Sequence, residues 1–142
     1  MAFFKFDKTI LSEVIAEIRR AKKFIKIAIF QLHNQEIFEE LKKKLSESVK
    51  VHIITLPYDS INDDVRERVE NSFQKLINAG AVVDFIKWNV GDPERTTTAV
   101  GRWYAFHGKF MITDKTAIAL SANLIDQNEL DAIVKFEDDK TI

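Results

Sequence analysis

Apolar positions recur at helical spacing through the first part of the chain, and strand-sized apolar runs separate those stretches. From Lys8 to Lys23, the residues Ile10, Leu11, Val14, Ile15 and Ile18 fall on one helical face, with Asp7 placed to cap the N-terminus. Phe24 to Phe30 reads as a buried strand. Asn34 then caps a second amphipathic helix running to about Leu45, and Val49 to Leu56 is a strand ended by Pro57. Asn62 to Ala79 reads as a third helix stopped by Gly80, and Ala81 to Lys87 as a third strand. Strands alternating with helices imply right-handed crossovers, so the expected fold class is α/β, with a mixed, mostly parallel sheet flanked by helices.

The pattern changes after Trp88. Trp88 to Arg102 holds Gly91, Pro93, Thr96 to Thr98 and Gly101 and reads as one long loop, a length often reserved for binding elements. Tyr104 to Thr113 and Thr116 to Leu120 read as two strands around a turn at Asp114-Lys115, and Leu130 to Phe136 as a last strand. With no repeat, low-complexity tract or linker, residues 1–142 are expected to form one domain, either complete or the N-terminal part of a longer protein.

Composition narrows the chemistry. The 142 residues are 46% hydrophobic and 30% charged, a globular balance. The absence of cysteine excludes thiolate zinc sites and thiol nucleophiles, and fits a reducing compartment. Met1 to Asp7 is too short and too charged for a signal-peptide core. The longest apolar runs, such as Ile27 to Phe30 and Ala117 to Leu120, fall far below the ~20 residues of a membrane helix. A cytoplasmic domain without a membrane anchor is therefore expected. A formal net charge of -1 excludes a globally basic nucleic-acid binder, though not a local basic patch. Asp59, Asp63 and Asp64 lack the ligand spacing of a metal cage, and no metal or cofactor is expected.

Imidazole chemistry is confined to His33, His52 and His107. His52, inside an apolar strand, reads as a core imidazole. His33 closes the first strand before Asn34, at the sheet edge where parallel sheets place ligands, and is a candidate substrate contact. His107 keeps richer company, in the run Phe106-His107-Gly108-Lys109 leading to Asp114, followed by Ser121-Ala122-Asn123. Side chains alternate along a strand, so His107 and Lys109 share a face, as do Ser121 and Asn123. Paired as a hairpin, the two segments would bring imidazole, ammonium, hydroxyl and carboxamide to one patch suited to gripping and attacking a phosphate. Asp114 has the opposite parity and begins the turn, so it reads as a structural member of the motif. Trp103 and Tyr104 read equally as a stacking surface or a hydrophobic wall. Arg95 and Arg102 precede the motif and are placed to meet a polyanion. The helix run Lys42 to Lys44, with Arg19, Arg20, Lys22 and Lys23, is either a solvated face or a phosphate-steering surface.

These residues resemble the phospholipase D superfamily, whose signature is H-x-K-x4-D followed by a G/S-x-N element. His107, Lys109 and Asp114 match the first part, and Ser121 and Asn123 the second; Leu120 stands where the family has glycine. The stretch Asn128-Glu129-Leu130 resembles, one residue compressed, the N-x-E-L element whose acid orients the histidine, which makes Glu129 the first choice for that role and Asp131 the reserve. The resemblance implies a phospholipase D-like fold and metal-independent phosphodiester cleavage through a phosphohistidine, with His107, Lys109, Ser121, Asn123 and Glu129 catalytic. Family members set two motifs across a twofold axis. This chain has one, since His33 is followed by Gln35 and His52 by Ile54 at the lysine position, so a homodimer with a shared site is expected. Small single-motif members point to a nuclease acting on DNA or RNA. The alternatives are a phospholipid phosphodiesterase, or a non-catalytic nucleic-acid-binding or dimerisation module of a larger protein, favoured by Leu120 and the compressed acid spacing.

Overall fold

In a computed structural model, residues 2–7, 10–29, 32–58, 61, 63–85, 109–120, 124–125 and 131–136 are described. In chain order these give β1 (Ala2–Asp7), α1 (Ile10–Arg20), β2 (Phe24–Ile29), β3 (Leu32–His33), α2 (Gln35–Ser46), β4 (Lys50–Thr55), α3 (Asp63–Asn78) and β5 (Val82–Phe85). Beyond residue 108 follow β6 (Lys109–Thr113), β7 (Ala117–Leu120), β8 (Leu124–Ile125) and β9 (Asp131–Phe136).

The helices form where the apolar stripes run, and their ends show why they stop there. Asn34 is extended at φ -121° and its side-chain oxygen accepts from the Ile37 amide at 3.0 Å, so it caps α2 as expected. At the end of α3, the Ala81 amide reaches back to Leu76 and the Gly80 amide to Ile77, with Gly80 at φ +110°. That is a Schellman closure, and its left-handed position favours glycine. α2 closes by the same pattern, Val49 to Lys44 and Ser48 to Leu45, but here Ser48 sits at φ +66°. Asp7 does not cap α1. It is the last residue of β1, whose six residues pair antiparallel with β9 from Ala2–Phe136 to Asp7–Asp131. The partner lies about the whole chain away, so local periodicity carries no sign of it.

Among the described residues the main sheet has seven strands in the order β1-β9-β7-β6-β2-β4-β5, and β3 pairs with β8 in a second, two-stranded sheet. The main sheet is mixed, as the pattern implied, with a smaller parallel part than expected. Only β2-β4 and β4-β5 run parallel, whereas β2-β6, β6-β7, β7-β9 and β1-β9 are antiparallel. The reason is connection length. Helical crossovers join β2, β4 and β5, whereas the three residues between β6 and β7 allow only an antiparallel return.

Right-handed crossovers running in one direction place their helices on one sheet face. Val14 and Ile18 of α1, Ile37 and Leu41 of α2, and Val69, Phe73 and Leu76 of α3 are accordingly buried in one cluster with Ile25, Ile27, Val51, Ile53, Met111 and Ile118. The alternate strand positions Lys26, Phe110, Ile112 and Ala119 are exposed, and no described helix contributes to that face. Phe38, Tyr58, Phe73 and Phe85 extend the core toward the C-terminal ends of β4 and β5 through edge-on ring contacts of 4.8–6.0 Å.

A left-handed backbone costs a non-glycine residue about 1–2 kcal/mol, partly offset by glycine's greater freedom when unfolded. Ser48→Gly is therefore expected to stabilise the protein by up to about 1 kcal/mol, seen as a rise of about 2–4 °C in Tm by thermal unfolding. An unchanged or lower Tm would count against the closure as described.

Candidate active site

Lys109 opens β6 and stands opposite Ile29, the last residue of β2. β7 runs back from the Asp114-Lys115 turn in the register Phe110–Ala119, so its last residue, Leu120, ends at the same edge. His33 follows the end of β2 and is half-buried, and its strand pairs parallel with β8, His33 facing Ile125. β9 adds a further strand beyond β7 in the register Leu120–Ile133, which carries Asp131 to this edge as well. Lys109, His33, Leu120 and the backbone of Asp131 thus collect along the C-terminal edge of β2 and β4, where open sheets accept ligands. His107, Ser121, Asn123, Glu129, Trp103, Arg102 and Arg95 lie outside the described residues. Of the described residues near them in sequence, Lys109 follows His107 by two and Leu120 directly precedes Ser121, and both stand at this edge.

The opposite end is built around Asp114. One oxygen of its carboxylate, Oδ1, accepts from the backbone amides of Lys22 and Lys23, both at 3.0 Å, and of Phe24 at 3.4 Å. It therefore clamps the β6-β7 turn onto the junction between α1 and β2. Thr113 closes the same turn: its Oγ1 accepts from the Lys115 and Thr116 amides, and its own amide donates to the Thr116 carbonyl. At about 3.4 Å per residue, five residues place Asp114 about 17 Å from Lys109, too far to share a phosphate. Burial raises the Asp114 pKa, but the amides of Lys23, Lys22 and Phe24 outweigh it and hold the group below the ordinary carboxylate value.

Three of the seven cations of this basic surface, Lys44, Arg19 and Arg20, serve the fold, and the surface lies at the Asp114 end. Lys44 is buried, and its Nζ donates to the carbonyls of Arg19 and Ala21 at 2.6 and 3.0 Å, closing the C-terminus of α1 from the neighbouring helix. Arg19 holds Glu40 through Nε and Nη2, at 3.0 and 2.8 Å, which ties α1 to α2. This hydrogen bond depresses the Glu40 pKa. Arg20 holds Glu17 on its own helix. A steering surface for the Lys109 edge does not follow from this placement.

His52 is not a core imidazole. It is half-exposed on the face to which no described helix contributes, and its Nε2 lies 2.6 Å from Asp84 Oδ2 on β5. The sequence could not show this, because a one-residue shift in strand phase exchanges buried and exposed faces. Tyr58, which no sequence motif marks, stands just past β4 at the same edge, against Phe73 and Phe85; burial and then the nearby Glu70 raise its hydroxyl pKa. Among the described residues no group of three or more His, Asp or Glu is arranged to hold a metal ion, and no helix is long and apolar enough to cross a membrane.

The family model described as "Cardiolipin synthase, PLD-like domain" matches residues 14–141. No curated protein matches the chain. Among solved structures, Nuc from Salmonella typhimurium, a phospholipase D family member, is similar with a TM-score of 0.72 at 16% identity, over 99% of this chain and 85% of its own. NucT from Helicobacter pylori gives 0.70 at 20% identity, over 99% and 89%. TrmBL2, an archaeal chromatin protein with a novel mode of DNA binding, gives 0.63 at 11% identity, over 98% and 46%.

A folded pKa depressed below the unfolded value gives stability that is complete above the unfolded pKa and is lost as pH falls through the folded one. Wild type should lose the Asp114 contribution below about pH 4. Asp114→Ala should cost about 1–3 kcal/mol at pH 7 by leaving the clamp's donors without this acceptor. Asp114→Asn keeps an acceptor and should flatten the acid limb of a Tm-versus-pH curve. Three superimposable curves would refute the clamp.

Proposed function

The chain belongs to the phospholipase D-like family, and on that premise we propose that it is a phosphodiester hydrolase, acting on nucleic acid through a site shared by two copies of the chain. One observation carries the reading: the His107-x-Lys109-x4-Asp114 signature has its lysine at the open edge of the sheet and its aspartate locked in the opposite turn. The signature is thereby divided into a chemical part and a structural part. His107 is two residues upstream of Lys109, hence within about 7 Å of it along the chain.

In this mechanism the His107 imidazole attacks phosphorus, a P–N bond forms, and the P–O bond to the leaving oxygen breaks. The His107 of the partner subunit gives that oxygen its proton. It then takes a proton from water, whose oxygen attacks phosphorus and breaks the P–N bond, restoring both imidazoles. Lys109, Ser121 and Asn123 donate to the phosphoryl oxygens as charge develops. Glu129, or in its place Asp131, orients His107. His33, Trp103, Arg102 and Arg95 contact the substrate. Two imidazoles on one phosphate titrate as a pair.

A second reading, a DNA-binding module without turnover, has support in Leu120 at the family's glycine position and in the likeness to TrmBL2.

With chelator present, wild type should cleave bis(p-nitrophenyl) phosphate and single-stranded DNA. Lys109→Ala should lower kcat/KM by about 100- to 1,000-fold, and His107→Ala should bring turnover to background. Light scattering should give a dimer. Equal rates in wild type and His107→Ala with retained DNA binding would establish the module instead. Turnover on phospholipid vesicles but none on DNA would move the substrate to lipid.

A further inference from the structure

At the end of the sheet away from Lys109, the parallel strands β2, β4 and β5 begin side by side above the turns that close α2 and α3. A cavity of about 540 Å³ opens there, with walls that include Phe24, Leu45, Val49 and Val82. This is within the roughly 300–1,000 Å³ of small-molecule sites. Lys26, His52 and Val82 line it from one cross-strand row, because the register pairs Lys26 with His52 and His52 with Val82. Lys50 lines it from the start of β4.

The charged groups in this wall share one sign. They are the ammonium groups of Lys26 and Lys50; the His52 imidazole lines the cavity beside them, and no described carboxylate does. Neither lysine forms an ion pair among the described residues; the Lys26 ammonium instead lies 5.8 Å from the centroid of the Phe24 ring. Asp84, which holds His52 at 2.6 Å, stands in register with Ile54, one row further along the strands, and is outside the lining. A predominantly apolar cavity with two ammonium groups and an imidazole at its rim is complementary to a molecule with an apolar body and one anionic end.

We infer that this cavity binds a small amphipathic organic anion, a medium-chain or aryl carboxylate or sulfonate, at a site separate from the Lys109 edge. The anionic end meets Lys26 and Lys50, and the apolar body lies between Phe24 and Val82. The complex bridges the first residues of three strands, so it braces β5, the edge strand of the sheet.

The probes are 8-anilinonaphthalene-1-sulfonate, followed by its fluorescence, and dodecanoate and dodecanol as competitors, titrated into the full chain. Saturable 1:1 binding is expected, with dodecanoate displacing the dye and dodecanol far weaker. The double variant Lys26→Glu/Lys50→Glu should bind the dye about tenfold or more weakly, with an unchanged Tm because both side chains are exposed. Val82→Trp, which fills the mouth of the cavity without altering charge, should weaken it too, while His107→Ala should bind as wild type. Non-saturable binding, equal displacement by dodecanol, or full affinity in the double variant would overturn the inference. Binding is read without turnover, so either the site or the proposed hydrolysis can fail alone.

Discussion

The clamp from Asp114 to the amides of residues 22–24 is the constraint on which the placement of the candidate site depends. β6 lies antiparallel against β2, and the two strands are separated by about 80 residues, so no turn fixes their register. A register set only by apolar contact tolerates slips of two residues, which preserve the buried face. A carboxylate accepting from successive amides is less forgiving, because its acceptor must coincide with particular donors. Once Asp114 is seated, Met111 points into the core opposite Ile27, and Lys109 arrives at the last residue of β2. The family signature therefore spans the strand from end to end. Its aspartate secures the register, and its lysine marks where the register delivers a cation.

The two ends of the sheet consequently do different work. At the Asp114 end, helix carbonyls and amides find partners: Lys44 covers the end of α1, the Schellman closures finish α2 and α3, and Asp114 takes the first amides after α1. Such satisfaction stabilises, since a buried polar group without a partner costs about 1–3 kcal/mol. At the other end the strands stop beside His33, Lys109 and Leu120, and the aromatic cluster of Tyr58, Phe73 and Phe85 braces the edge from beneath. A rigid closed end and a supported open end are what a site on loops requires to keep its geometry.

The parts of this arrangement legible in the sequence were those governed by local rules. The 3.6-residue periodicity of Ile10 to Ile18, the Asn34 cap and the Gly80 stop each depend on residues within a turn of one another, and each element stands where its pattern put it. The illegible parts depend on distant partners. β1 exists because β9 pairs with it, so Asp7 became a strand end and not a cap. The count of antiparallel pairs followed from β6 entering beside β2, which no spacing announces. Lys44 looked like its neighbours Lys42 and Lys43, yet one helical step turns it under α1, where its ammonium is consumed by carbonyls. His52 and Lys26 belong to a face whose exposure was decided by where the helices cross. For the candidate site, residue types and spacing were readable, as was the parity that set Asp114 apart, whereas the edge at which Lys109 and Leu120 stand was a property of the assembled sheet.

Charge follows the same logic. A net charge of -1 gives no general field to draw in a polyanion, and the fold uses further cations internally: Lys44 on carbonyls, Arg19 on Glu40 and Arg20 on Glu17. On the proposed function, what draws a phosphodiester must then act at short range, within about one Debye length of the site, roughly 8–10 Å at physiological salt. Two strand spacings, about 10 Å, separate the β6 backbone at Lys109 from β9, so cations along one edge fall inside that range, whereas those at the Asp114 end, about 17 Å away, fall outside it. Under that proposal, a chain organised in this way selects its anion by contact and not by long-range attraction. That favours a substrate presenting its phosphate to the edge over one captured by a broad basic surface.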